Sequence, residues 1–300
     1  MGTFASWRNM NRQTASGRRI LRGLGALGAA AFALLAPVQV LGQAQAQAGD
    51  GVDRLTVHLS DPTRPGAVDV KLVNGSITVK TYNGKEIEVE ARLRDEPRMH
   101  WEEPRPGMHR LSVGTTGLTV DEENNNVSVT TDSVFHTVEV TLTVPTHTSL
   151  SLRTVNGGGI TVSGVDGDVD ATVVNGPITL TDISGSTVAH TINGHLTATF
   201  SRLNESKPIA FSSMNGDIDV TFPSDAKANL SLHSQRGGVF SDFDVKFLNS
   251  SGESSTESSG TGPRHVRIGG GVYATINGGG GAVQLSNFNG NIYIHKAGAH

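Results

Sequence analysis

The sequence predicts an all-β protein, a β-solenoid-like repeat stack with an irregular N-terminal β cap. Three observations carry that expectation. The dipeptide Asn-Gly occurs eight times, and because both residues tolerate positive φ each occurrence marks a tight turn. After those turns apolar residues alternate with polar ones, as in Gly75-Ser76-Ile77-Thr78-Val79 and Gly176-Pro177-Ile178-Thr179-Leu180, the period of a strand with one buried face. In the centre the turn glycines Gly157, Gly167, Gly176, Gly185 and Gly194 follow one another at nine or ten residues.

Such intervals leave room for a strand of about 5–6 residues and a turn. Two intervals make a repeat of 18–19 residues, which carries Asn156 to Asn175 and Asn175 to Asn193. Stacked coils require like side chains above like, Asn over Asn and Ile over Val or Leu, and this repeat supplies them. An antiparallel β-sandwich or meander is the alternative. Hairpins in series need no likeness between alternate turns, so the solenoid is the better expectation.

Along the chain, residues 1–48 read as a cleavable signal peptide. Arg8, Arg12, Arg18, Arg19 and Arg22 precede an apolar run from Leu24 to Leu41, and the cleavage patterns Ala44-Gln45-Ala46 and Ala46-Gln47-Ala48 follow. The run is short for a spanning helix and contains Pro37, so no membrane span is expected after cleavage. Cleavage removes five arginines and no acidic residue, moving the formal net charge from −4 to −9. With aromatics at 5% and no basic stripe, nucleic acid is excluded as a partner.

Residues 49–149 form the expected cap. Leu55 to Leu59, Ala67 to Leu72, Glu86 to Ala91 and Val138 to Val144 alternate as strands, residues 95–110 read as a loop, and Glu122 to Asn126 as a hairpin tip. Residues 150–300 form the repeat region. Within it 150–222 is regular, with Leu203 to Lys207 a short insertion that lengthens one repeat to 22 residues, and Leu230 to Leu248 adds a strand pair. Residues 249–263 are a disordered Ser/Thr/Gly-rich loop, after which Arg264 to Lys296 finishes the sheet. The chain has no cysteine, which excludes disulfides, thiol catalysis, cysteine-bound metals and N-terminal lipidation of the mature chain.

The residues that invite chemistry are few. Asp166-Gly167-Asp168-Val169-Asp170 spaces carboxylates like a calcium loop, but Ala171 stands where glycine is needed and the next acidic residue is Asp182. An ordinary solvated strand face is expected there, as at Asp217 and Asp219. His190 and His195 flank the turn at Asn193-Gly194 without the spacing of a ligand pair. There is no Gly-x-Ser-x-Gly elbow, and the runs at Gly269 to Gly271 and Gly278 to Gly281 lack the Lys-Ser/Thr of a phosphate loop. A polysaccharide lyase on a parallel β-helix would need a dense acid–base groove, whereas 150–222 offers only Arg153, Arg202 and Lys207 as basic residues. No catalytic, cofactor-binding or metal residue is therefore expected, no cofactor, and no enzymatic activity.

Four segments together resemble a known family. They are Val140-Thr141-Leu142-Thr143-Val144-Pro145 leading to Val155-Asn156-Gly157, the central Val/Ile-Asn-Gly repeats, Gly237-Gly238-Val239-Phe240-Ser241-Asp242-Phe243, and Ile276-Asn277-Gly278 through Gly290-Asn291-Ile292-Tyr293-Ile294. In this order, over about residues 65–296, the chain resembles the bacterial putative-adhesin family of exported β-strand-repeat proteins, a domain of unknown function. The resemblance implies an exported or envelope-associated domain and assigns no functional residue. The expected role is a non-catalytic, adhesin-like or scaffolding surface in the bacterial cell envelope, with an envelope protein or a glycan as partner. An envelope stress-sensing or regulatory binding protein is the second expectation and a carbohydrate-active β-helix enzyme the third. The expected location is the periplasm, the cell envelope or the extracellular space, and no oligomeric state follows from the sequence.

Overall fold

The structure, a computed structural model, describes residues 45–49, 52–94, 116–131, 136–248, 255–256, 264–267 and 271–298. Apart from Gln45 to Ala48 the signal segment lies outside the described residues, as do the 95–110 loop and all of 249–263 except Ser255 and Thr256. The described residues form 22 strands. The first seven are β1 (Gln45–Gly49), β2 (Val52–His58), β3 (Ala67–Tyr82), β4 (Glu86–Leu93), β5 (Leu118–Glu123), β6 (Asn126–Thr131) and β7 (Val138–Pro145). The central repeats are β8 (Ser149–Ser163), β9 (Val169–Asn175), β10 (Ile178–Ile183), β11 (Thr187–Asn193), β12 (Leu196–Phe200), β13 (Ile209–Asn215) and β14 (Ile218–Phe222). Then come β15 (Ala228–Ser234), β16 (Val239–Ser241), β17 (Val245–Phe247), β18 (Ser255–Thr256), β19 (Arg264–Arg267), β20 (Val272–Ile276), β21 (Gly281–Asn289) and β22 (Ile292–Lys296). No described residue is helical.

Every central strand pairs in parallel, which decides between the two architectures in favour of the solenoid-like stack. Each coil gives one strand to each of two facing walls. In the first wall the N-terminal halves of β3 and β8 are followed by β9, β11, β13, β21 and β15. In the second, the C-terminal halves of β3 and β8 are followed by β10, β12, β14, β22 and β16. β3 and β8 run through both walls, with a register shift just after Asn74, so the walls are parts of one partly closed sheet. A meander of hairpins would have alternated strand direction.

Parallel stacking extends to β3, and to β6 and β7 beside it, within the range 49–149 that the sequence assigns to the cap. Antiparallel strands finish the walls: β5 on β6, and β4, β2 and β1 in succession on β7. At the other end β20 and β17 extend the first wall, and β19 and β18 the second. Spatial order departs from chain order here. The last coil in the sequence, β21–β22, sits between β13–β14 and the earlier β15–β16.

The core lies between the walls and is built from the inward residues of the period-2 pattern. Ile160, Ile178, Leu196, Ile218 and Ile292 occupy one register row, and all are at most 1% exposed. Full burial of such a side chain contributes roughly 1.5–3 kcal/mol. Three phenylalanines cluster within the core, Phe200 lying 5.3 Å from Phe222 and 6.2 Å from Phe211 between ring centroids. In its register row Phe211 stands between Ala189 and Leu285.

Candidate interaction surface

The Asn-Gly corners stack into a ladder. Asn74, Asn156, Asn175, Asn193, Asn215 and Asn289 are register partners in successive coils. Each amide Nδ2 donates to the Oδ1 of the preceding asparagine, at 2.8 Å between Asn175 and Asn156, between Asn193 and Asn175, and between Asn215 and Asn193. The bonds from Asn156 to Asn74 and from Asn289 to Asn215 are longer, at 3.3 Å. Asn83 and Asn277 stand outside the ladder. Asn277 takes φ 49° before β21 and donates to the carbonyl of Ala226.

Beneath the ladder runs a second, buried row that the sequence reading missed. Two residues before four of the six ladder asparagines, Thr154, Thr191, Ser213 and Asn287 donate to the carbonyls of Gly75, Gly176, Gly194 and Gly216 in the neighbouring coil, while Leu72 and Val173 hold the corresponding places before Asn74 and Asn175. The visible signal was a polar residue at an otherwise apolar inward position. The corner glycines themselves cannot carry a side chain. A Cβ on Gly194 would lie 2.0 Å from the carbonyl oxygen of Gly176, and one on Gly216 2.1 Å from that of Gly194.

The residues singled out for chemistry come together as ion pairs. Asp166 accepts from Ser184 Oγ and from the Arg202 guanidinium, both at 2.5 Å, and lies 3.1 Å from His147 Nδ1. Asp168 pairs with Lys207 at 3.0 Å and Asp170 with Arg153 at 3.6 Å. The three acids of the calcium-like segment are thus matched by the three basic residues of the regular core. Two of these, Arg202 and Lys207, tie the insertion after β12 to the coils beneath it. The Ser184 hydroxyl first, and Arg202 with it, hold the Asp166 carboxyl below its ordinary range. His190 and His195 are not brought together: His190 Nδ1 is 2.6 Å from Ser212 Oγ, and His195 Nδ1 accepts the backbone N–H of Asp217. Among the described residues no group of three or more His, Asp or Glu side chains has the geometry to hold a metal ion.

The outer side of the second wall is ordered differently. One register row runs Thr141, Thr78, Thr161, Thr179, Thr197, then Asp219, Tyr293 and Phe240. Two residues further along each strand lie Thr143, Lys80, Ser163, Thr181, Thr199, Thr221 and His295. At the C-terminal end Phe240 and Tyr293 stack at 5.1 Å and 15°, and Tyr293 is within 9° of parallel to His295. His295 is held between Asp242 at 3.0 Å and Asp219 at 3.7 Å, and the Tyr293 hydroxyl accepts from Asn291. At the other end Arg54, Thr56, Glu88, Glu90, Thr141 and Thr143 line an open cleft of about 330 Å³. The alternation of Thr with apolar residues was legible in the sequence; the alignment of those threonines into one row, and the gathering of Phe240, Tyr293 and His295, was not.

Fold and surface together define a β-solenoid-like repeat protein that presents aligned side-chain rows. The chain belongs to the Toastrack DUF4097 family, whose model matches residues 118–269. It is similar in structure to a putative cell adhesion protein from Clostridium sporogenes ATCC 15579, at 9% identity and a TM-score of 0.42, over 85% of this chain and 100% of that one. A putative adhesin from Bacteroides fragilis NCTC 9343 is similar at 11% identity and a TM-score of 0.35, over 83% and 98% of the two chains. No curated protein matches the chain.

Proposed function

We propose that the protein is a non-catalytic, adhesin-like or scaffolding surface of the bacterial cell envelope, exported by its N-terminal signal. The observation that carries this reading is the outer side of the second wall, where aligned rows spread like side chains over many coils. An extended, repeated surface suits the recognition of an extended partner, because many weak contacts add along it. A hydrolase or lyase instead concentrates acid, base and substrate groups at one point, and here Asp166, Asp168 and Asp170 are each ion-paired with a different basic side chain, Arg202, Lys207 and Arg153.

Fractionation of cells carrying a C-terminally tagged copy tests the reading. Recovery of the shortened, signal-free chain at the cell surface or in the medium is expected. Recovery of the uncleaved chain in the cytoplasm overturns it, and recovery in the periplasm alone removes the adhesin-like role and leaves a scaffold.

A further inference from the structure

We propose that the outer rows of the second wall form a binding track for an extended polysaccharide that carries no acidic groups. This deepens the adhesin-like reading and rests on it for its biological setting, while the binding itself is a property of the purified chain.

Four features select that partner. The first is periodicity. Thr78, Thr161, Thr179 and Thr197 stand on adjacent parallel strands, so their hydroxyls recur at about 4.8 Å along the stack. From Thr141 to Phe240 the row crosses eight strands, roughly 34 Å. A linear chain of pyranose rings offers hydroxyl groups at a comparable interval, and each threonine both donates and accepts.

The second is rigidity. The strands that carry these threonines have fully buried inward neighbours, Val79, Val162, Leu180 and Ala198 among them. Threonine has few χ1 choices, so little side-chain freedom is lost when a polymer docks. The outer side of the first wall has no such uniformity: one of its rows reads Arg153, Thr172, His190, Ser212.

The third is the aromatic end. Phe240 and Tyr293 are partly exposed and nearly parallel, and Asn291 fixes the tyrosine hydroxyl. Ring surface beside carboxylates and an amide gives a sugar both an apolar contact for its C–H face and polar partners for its hydroxyls.

The fourth is charge. In the middle of the track, from β3 to β12, Lys80 is the one charged side chain in the two rows. At both ends the carboxylates outnumber the cations, Glu88 and Glu90 against Arg54 around the cleft, and Asp219 and Asp242 about His295 beside the rings. A uronic-acid or sulfated polymer spanning the track would set like charges together at both ends. A neutral chain meets donors and acceptors throughout.

The test is depletion of the purified mature protein by microcrystalline cellulose, chitin and an insoluble β-1,3-glucan, with alginate beads as the acidic counterpart. Depletion by at least one neutral matrix and none by alginate is expected. Tyr293→Ala and Thr179→Glu should each lower the bound fraction about tenfold, as removal of a central contact does. Thr172→Glu, on the outer side of the first wall, should leave it unchanged. Circular dichroism of the variants confirms that both substitutions on the track leave the fold intact, since both positions face outward. Thr197→Glu repeats the test should Thr179→Glu fail to fold. Failure to bind any neutral matrix, preference for alginate, or equal loss in Thr172→Glu overturns the track. A protein recovered at the cell surface that binds none of these matrices would keep the adhesin-like reading and lose this one.

Discussion

At the scale of single residues, the corner of each coil separates two effects that the Asn-Gly dipeptide combines. Asn193 makes two exposed ladder bonds, one to Asn175 and one from Asn215. Water replaces them when the side chain is removed, so Asn193→Ala is expected to cost roughly 1 kcal/mol. Gly194→Ala should cost more, about 2–3 kcal/mol, because its Cβ would meet the Gly176 carbonyl oxygen at 2.0 Å and the coils would have to part. Urea unfolding of the two variants measures both, and equal losses would show that the ladder rather than the close approach holds the corner. Asp166 governs a different dependence. Its folded-state carboxyl titrates below the ordinary value of 3.8, so its contribution is complete above that value and is lost as pH falls through the lower folded-state value. Asp166→Asn removes that contribution. The gap in thermal midpoint between wild type and variant is expected to be widest near about pH 6 and to close as the pH drops well below 3.8.

At the scale of the element, strands were legible where one face is buried and the other solvated. The runs after Gly75, Gly176, Gly194, Gly216 and Gly290 each became a strand of the second wall, because period-2 alternation has no other stable use. Likeness at 18–19 residues also identified the parallel stack, since Asn175 and Asn193 match only if successive coils share register. Spatial order was beyond that reasoning. Phe288-Asn289-Gly290 completes the ladder while Ser234-Gln235-Arg236-Gly237 does not, yet nothing local says that β21 enters between β13 and β15. The buried Thr154, Thr191 and Ser213 were hidden for a related reason: their partners are glycine carbonyls one coil away, a contact that spacing alone does not reveal. Packing between elements yields its own expectation. Phe211 is 2% exposed and packs with its ring 6.2 Å from that of Phe200, so Phe211→Ala should open a cavity and cost about 3–5 kcal/mol. Calorimetry would register this as a large fall in thermal midpoint, and a change within about 1 kcal/mol would contradict the packing described.

At the scale of the whole molecule, one geometric fact underlies fold and function alike. Parallel coils in constant register put equivalent residues on one line, which builds a core on the inside and a row of like groups outside. The proposed surface therefore stands or falls with the register. Because the chain has no cysteine, pairs of spin labels can be placed on introduced cysteines without background. The most direct measurement is the distance by pulsed electron spin resonance from a label at Thr78 to labels at Asp219, Tyr293 and Phe240 in turn. These positions lie four, five and six strands away along the row. The expected distances are about 19, 24 and 29 Å, with Tyr293 nearer than Phe240 although it comes later in the chain. Distances that fail to rise by one strand spacing at each step, or that place Phe240 nearer than Tyr293, would contradict the stack and with it the track.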